Sequence, residues 1–223
     1  MRTALVYIYC IDLLVELMAI LFDVQSVRII SKPLLMILLI LGVGLQKIQP
    51  ATLKYLLQVS LFFSWLGDLF LLFDKGDSLY FIGGLLSFLI AHLFYIILFV
   101  KLKTVLNPDS KLNKRAIGFL LIYVGILFTL LIPGLGALKI PVIVYALVLA
   151  SMFIASLYAS SISSTWQSLI IIGALLFVVS DSILALNKFL NPFPTASFLV
   201  MLTYGLAQLF IVMGVSNSLS STE

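Results

Sequence analysis

Long apolar runs separated by short polar breaks make up almost the whole chain. A helix that crosses a bilayer needs about 20 mostly apolar residues, and runs of that kind lie near 3–22, 27–46, 53–73, 78–100, 116–135, 140–160, 166–187 and 195–215. Pro, Gly and charge mark the breaks at Lys47 to Pro50, at Asp74-Lys75-Gly76-Asp77 and at Asn191-Pro192-Phe193-Pro194. The longest break, Lys101 to Arg115, contains Asn107-Pro108-Asp109. Pro133-Gly134-Leu135-Gly136 and Ser160 to Thr165 divide their neighbours without any charge, and reading either pair as one span would lower the count to seven. The pattern predicts an all-α, polytopic membrane protein: a bundle of eight transmembrane helices forming a single domain over 1–223.

An even number of spans returns both termini to one side of the membrane. Arg2, Lys47, Lys54, Lys101, Lys103, Lys111, Lys114 and Arg115 fall on that side, and Arg28, Lys32, Lys75, Lys139 and Lys188 on the other. The excess of basic residues places both termini in the cytoplasm. The apolar run after Arg2 is broken by Asp12 and Glu16 and lacks a small-residue cleavage site, so no cleavable signal peptide is expected. No internal repeat is visible, which weighs against an inverted-repeat transporter.

Composition narrows the chemistry. Residues of the AVILMFWYC set make up 63% of the chain and charged residues 10%, too few to wet a soluble globule. The membrane is either a bacterial inner membrane or a eukaryotic endomembrane. The single cysteine, Cys10, rules out an intrachain disulfide and a multi-cysteine zinc site, and the single histidine, His92, rules out a three-histidine centre. With no ligand set for a catalytic metal in view, neither metal nor cofactor is expected. The net charge of +4 is spread over loop ends, so nucleic acid is not an expected partner. The short loops offer little surface to an obligatory protein partner, which leaves membrane lipid as the surroundings.

A charge near the middle of a spanning helix costs roughly 2.5–3.5 kcal/mol on insertion scales, so each one needs a partner, water or a function. The set is small: Asp12, Glu16, Asp68, His92 and Asp181, with Lys32 at the margin of the second span. Asp68, Asp181, Glu16 and Lys32 all lie within about two turns of the same non-cytoplasmic side, and Tyr145 and Tyr204, with Gln208 a turn beyond, enter from that side too. Asp68 follows Gly67, which permits close approach of a neighbouring backbone, and has Ser64 on its own helical face. Asp181 stands between Ser180 and Ser182, two hydroxyls able to bond it. Each aspartate alone is equally well read as a polar clasp between helices. Two carboxyls at matched depth in a low-dielectric pocket divide into one protonated and one ionised group, a general acid and a general base without metal.

Lys32 precedes Pro33, so its ammonium either snorkels to lipid headgroups or is the counter-ion of a carboxylate or a lipid phosphate. His92, about 21 Å along its helix at 1.5 Å per residue, is expected to lie too deep to touch the aspartates, and an interhelical hydrogen bond suits it as well as catalysis. Asp12 and Glu16 share one face of the first helix, where they can pair with Lys32 or Arg28 or line a proton path. That last possibility supports a second class of function, a proton-coupled transporter of small molecules or lipids.

The stretch Ser64-Trp65-Leu66-Gly67-Asp68, then Tyr80-Phe81-Ile82-Gly83 and Ser87-Phe88-Leu89-Ile90-Ala91-His92-Leu93-Phe94-Tyr95, resembles the YhhN-type lysoplasmalogenases. So do Lys32-Pro33-Leu34, Tyr145-Ala146, Gly173-Ala174-Leu175-Leu176-Phe177, Ser180-Asp181 and Tyr204 to Gln208, in order from about Lys32 to Ser216. The first span, with Asp12 and Glu16, lies outside the pattern. The resemblance implies an eight-helix membrane hydrolase that cleaves the vinyl ether of lysoplasmalogens, giving a fatty aldehyde and glycerophosphoethanolamine or glycerophosphocholine. It implies a lysophospholipid substrate. A vinyl ether is opened by protonating its β-carbon, and the resulting oxocarbenium ion is attacked by water, so one carboxylic acid and one carboxylate suffice. Asp68 and Asp181 are assigned to these roles, either way round. Lys32, Tyr145, Tyr204, Gln208 and His92 are assigned to binding the substrate or orienting the carboxyls.

Overall fold

The computed structural model describes residues 3–74, 78–109, 111, 114–161 and 164–220. The apolar runs form eight α-helices: α1 (Thr3–Leu21), α2 (Gln25–Gly44), α3 (Ala51–Leu72), α4 (Ser78–Leu106), α5 (Lys114–Leu131), α6 (Lys139–Ala159), α7 (Thr165–Phe189) and α8 (Ala196–Ser220). There is no strand among the described residues. All eight helices are long and apolar enough to cross a membrane, and the chain is an integral, multi-pass membrane protein. Arg2 and Lys75, which entered the charge comparison, lie outside the described residues, as do Gly76, Asp77 and the middle of the break from Ser160 to Thr165.

The connections show why short breaks suffice. Between α1 and α2 the chain reverses through Asp23 at φ 53°, a left-handed conformation that Asp tolerates better than most residues. At the end of α2, Lys54 donates to the carbonyls of Gly44 (2.7 Å) and Gln46 (2.8 Å), acceptors that the helix end leaves free. The charge-free break after α5 is made by two 3₁₀ turns, Ile132–Gly134 and Gly136–Leu138. Gly134 lies so close to α7 that a Cβ there would meet the Phe189 carbonyl oxygen at 1.8 Å, so steric fit replaces charge as the signal at this turn.

Small residues set the closest helix pairs. A Cβ on Gly173 would lie 2.8 Å from the Ala207 carbonyl oxygen, and one on Gly214 2.8 Å from that of Trp166, so α7 and α8 pack backbone to backbone. Between α3 and α4, the neighbour of Gly67 is the Phe88 ring, 2.6 Å from where a Cβ would stand. The neighbouring backbone expected from the sequence also comes close, since a Cβ on Gly84 of α4 would lie 3.6 Å from the Gly67 carbonyl oxygen. Tyr9 ties α1 to α8 through a 2.8 Å bond to the Gly205 carbonyl. By contrast, α5 sits at the rim, with only 11% of Ile117–Gly134 buried. It is held to α7 by the bond from Tyr123 to Ser182, 2.7 Å.

Candidate active site

Glu16, Lys32, Asp68 and Asp181 lie in the half of the bundle nearest the α1–α2, α3–α4, α5–α6 and α7–α8 connections. Polar side chains there form two stations, one around Asp68 and one around Asp181.

Asp68, on the last turns of α3, is 2% exposed. Its Oδ2 accepts a 2.7 Å bond from the Tyr204 hydroxyl on α8, and its Oδ1 lies 3.9 Å from Nζ of Lys32 on α2. Lys32 is itself buried. It faces a carboxylate instead of snorkelling, because α2 starts at Gln25 and carries the residue about two turns inside. One turn deeper, Gln208 accepts from Tyr95 (2.6 Å) and donates to Ser64 (3.0 Å). Gln208 therefore braces the helices behind the Asp68 station and is joined to it through the shared faces of α3 and α8.

The Asp181 station differs from the sequence expectation in two respects. The flanking serines do not serve the carboxyl. Ser180 donates to the Val200 carbonyl (3.0 Å) and Ser182 to the Val178 carbonyl (2.6 Å), since neighbours in a helix point away from one another. Asp181 Oδ2 instead accepts from Tyr145 on α6 at 2.5 Å. Nor does His92 lie too deep: its Nε2 is 3.0 Å from Tyr145 Oη and 3.4 Å from Asp181 Oδ2. Helix ends are not level, so depth counted from each helix's own start misleads. The rings of Phe81 and Phe189 meet at 5.7 Å and give a common level. From it, His92 lies about 16 Å along α4 and Asp181 about 12 Å along α7, at 1.5 Å per residue, and the side chains span the remainder.

Tyr145 thus bridges the Asp181 carboxyl and His92 Nε2, while His92 Nδ1 is buried without a partner among the described residues. Phe177 stands between the stations. Its ring centroid is 5.4 Å from that of Tyr204 and 4.6 Å from that of His92, with Phe88 against Tyr204 at 5.7 Å. Sequence reading missed Phe177 and Phe88 because aromatic residues in apolar spans carry no signal of their own.

Two apolar cavities of about 40 and 50 Å³ meet at Asp181 and Tyr145. Val142 and Ala185 line both; the first extends to Leu127 and Phe128 of α5, the second to Phe81 and Phe88 of α4.

The first helix contributes a separate ion pair. Glu16, fully buried, accepts from Arg28 Nε at 3.2 Å and from Ser31 at 2.6 Å. Of the partners open to it in sequence, Arg28 is the one it takes. Asp12, one turn away, has its Oδ2 buried with no partner among the described residues. Among those residues no cluster of three or more His, Cys, Asp or Glu could hold a metal ion.

The model of the YhhN family matches residues 27–215. The chain belongs to the YhhN family. It is 33% identical over 192 residues to lysoplasmalogenase TMEM86A of Bos taurus, covering 82% of this chain and 73% of that protein. With the TMEM86A lysoplasmalogenase of Homo sapiens the identity is 33% over 187 residues. With lysoplasmalogenase TMEM86B of Sus scrofa it is 37% over 162 residues, 73% of this chain and 64% of that protein. No solved structure matches the chain. The YhhN segment contains both carboxyl stations and begins after α1, so Asp12 and Glu16 lie on a helix outside the matched residues.

Proposed function

We propose that this YhhN protein is a metal-independent lysoplasmalogenase-like hydrolase that uses Asp181 and Asp68 as its acid–base pair. The observation that supports it most is the pairing of each carboxyl with a tyrosine, one facing apolar space and the other facing a buried lysine. Relatives named lysoplasmalogenases supply the substrate class.

In this reading Asp181, which lines both apolar cavities, carries the proton. It transfers that proton to the β-carbon of the vinyl ether, and the C=C electron pair forms the new C–H bond. The oxygen's lone pair leaves the α-carbon as an oxocarbenium ion. Asp68, beside Lys32 and Tyr204, stabilises that cation and takes a proton from the attacking water. The hemiacetal then passes its hydroxyl proton to the glycerol oxygen and breaks that C–O bond, releasing a fatty aldehyde and the glycerophospho-alcohol. The proton that Asp68 took from water is released to solvent, and Asp181 takes one up on the side where Tyr145 and His92 form a hydrogen-bonded chain, so the cycle consumes no net proton. Water is the only other reactant.

Two tests separate this from a proton-coupled transporter. Purified protein in detergent micelles, supplied with a panel of lysolipids, releases aldehyde from 1-alkenyl lysophospholipids and leaves 1-acyl and 1-alkyl analogues intact. A protein that moves its substrate only across a sealed, energised vesicle and releases no aldehyde is the transporter instead. With both termini cytoplasmic, as the basic residues suggest, the carboxyls open towards the non-cytoplasmic leaflet.

A further inference from the structure

A third cavity, open and polar, of about 270 Å³ lies above the carboxyls and takes no part in the acid–base chemistry. Arg28 and Lys32 border it from the first turns of α2, Asp74 from the end of α3, Lys188 from the last turn of α7 and Ser197 from the first turn of α8. Those positions are helix ends, at the level where a bilayer's headgroups begin.

Arg28 and Lys32 are one helical turn apart on one face. Among the described residues each cation meets one carboxylate within 4 Å: Glu16 for Arg28 at 3.2 Å, Asp68 for Lys32 at 3.9 Å, and Asp74 for Lys188 at 3.0 Å. A guanidinium carries five N–H donors and an ammonium three, so donors remain for a further acceptor. The cavity also shares Leu71, Phe81 and Leu184 with the apolar cavity that reaches Asp181. A cationic opening and an apolar interior thus meet at three side chains. A lysophospholipid has the same order of parts, with one glycerol between its phosphate and its chain.

We propose that this vestibule is the phosphate seat for the lipid, with Arg28 and Lys188 holding the non-bridging oxygens and Lys32 shared between the phosphate and Asp68. The assignment rests on the lysolipid reading above and adds Arg28 and Lys188 to it. The phosphate anchors the lipid at the headgroup level and sets how far its chain descends. Seating it at Lys32 leaves the first carbons of the chain beside Leu71 and Phe81, on the way to Asp181.

The test is binding rather than turnover. Purified protein in an uncharged detergent is titrated with a non-cleavable 1-alkyl lysophosphatidylethanolamine and, separately, with a 1-alkylglycerol of the same chain length. Lys188→Gln removes a half-exposed cation. Arg28→Gln is made together with Glu16→Gln, so that no buried carboxylate is left unpaired. Each variant is expected to bind the lysophospholipid about tenfold more weakly, the loss of one charge-assisted bond, and the alkylglycerol as the wild type does. Competition by inorganic phosphate in the wild type but not in Lys188→Gln supports the seat and adds free phosphate as a source of its ligand. Lipid binding that inorganic phosphate leaves untouched, but Lys188→Gln weakens, supports a seat that takes phosphate only on a lysolipid. Equal losses for both lipids, or undiminished lysophospholipid binding by both variants, overturns it. A wild type that binds the lysophospholipid in this way yet cleaves no vinyl ether refutes the enzymatic reading and leaves the seat standing.

Discussion

Tyr204 gives its phenolic proton to Oδ2 of Asp68 at 2.7 Å, joining α8 to α3 across 136 residues of sequence. On the other side of Phe177, Tyr145 does the same for Asp181 at 2.5 Å. The bundle thus contains two tyrosine–carboxyl pairs, and their surroundings distinguish them. Lys32 stands beside the first, and His92 with two apolar cavities beside the second.

Asp68→Asn and Asp181→Asn are expected to abolish aldehyde release while the purified protein elutes as folded material in detergent. An amide keeps the shape of the carboxyl but neither gives nor takes the catalytic proton. Near-normal turnover by either variant would remove that residue from the mechanism.

Tyr204→Phe and Tyr145→Phe each delete one hydrogen bond to a carboxyl and leave the ring in place. Bonds to charged groups are worth about 1.5–3 kcal/mol, so kcat should fall roughly tenfold to a hundredfold. KM for a substrate seated elsewhere should change little. A change confined to KM would mean that the phenols bind lipid and do not set the carboxyls.

His92→Phe preserves the edge-to-face packing on Phe177 and removes Nε2. If the His92–Tyr145 chain returns the proton to Asp181, kcat falls while binding of a non-cleavable alkyl lysolipid stays as it was. Unchanged kcat would make His92 an interhelical brace.

Ala185 lines both apolar cavities, and Ala185→Phe places a ring where the alkenyl chain must pass. Cleavage of long-chain substrate is expected to drop, with the thermal midpoint in detergent held or raised by the filled space. Full activity would direct the chain along another path.

Arg28→Gln alone leaves the Glu16 carboxyl buried in the bundle with Ser31 as its partner. Breaking one side of a buried pair costs about 3–5 kcal/mol, so the thermal midpoint should fall well below that of the double variant with Glu16→Gln. Equal midpoints would show that the pair adds nothing to stability.

The scarcity of charge in the apolar runs makes most of the candidate site legible in the sequence. Asp68, Asp181 and Lys32 stood out because a membrane penalises each of them, and Tyr145 and Tyr204 followed from sharing their depth. Partners were harder. Ser180 and Ser182 flank Asp181 in sequence, yet each spends its proton on a backbone carbonyl. His92 was misjudged because a residue count measures distance along one helix, whereas contact depends on how far neighbouring helices slide past each other. The break at Pro133 to Gly136 carried no charge, and a steric fit against Phe189 that no composition records makes it sharp.

By itself the sequence determined the solvent, the helices and the few groups able to do chemistry, since the cost of burying charge and bare backbone in lipid acts on each segment separately. Only the tertiary structure decided which tyrosine meets which carboxyl, that His92 joins Asp181, and that Arg28, Lys32 and Lys188 border one opening. Those contacts depend on the tilt and offset of helices packed at glycines and aromatic rings. That offset is a property of pairs of segments, and no single segment encodes it.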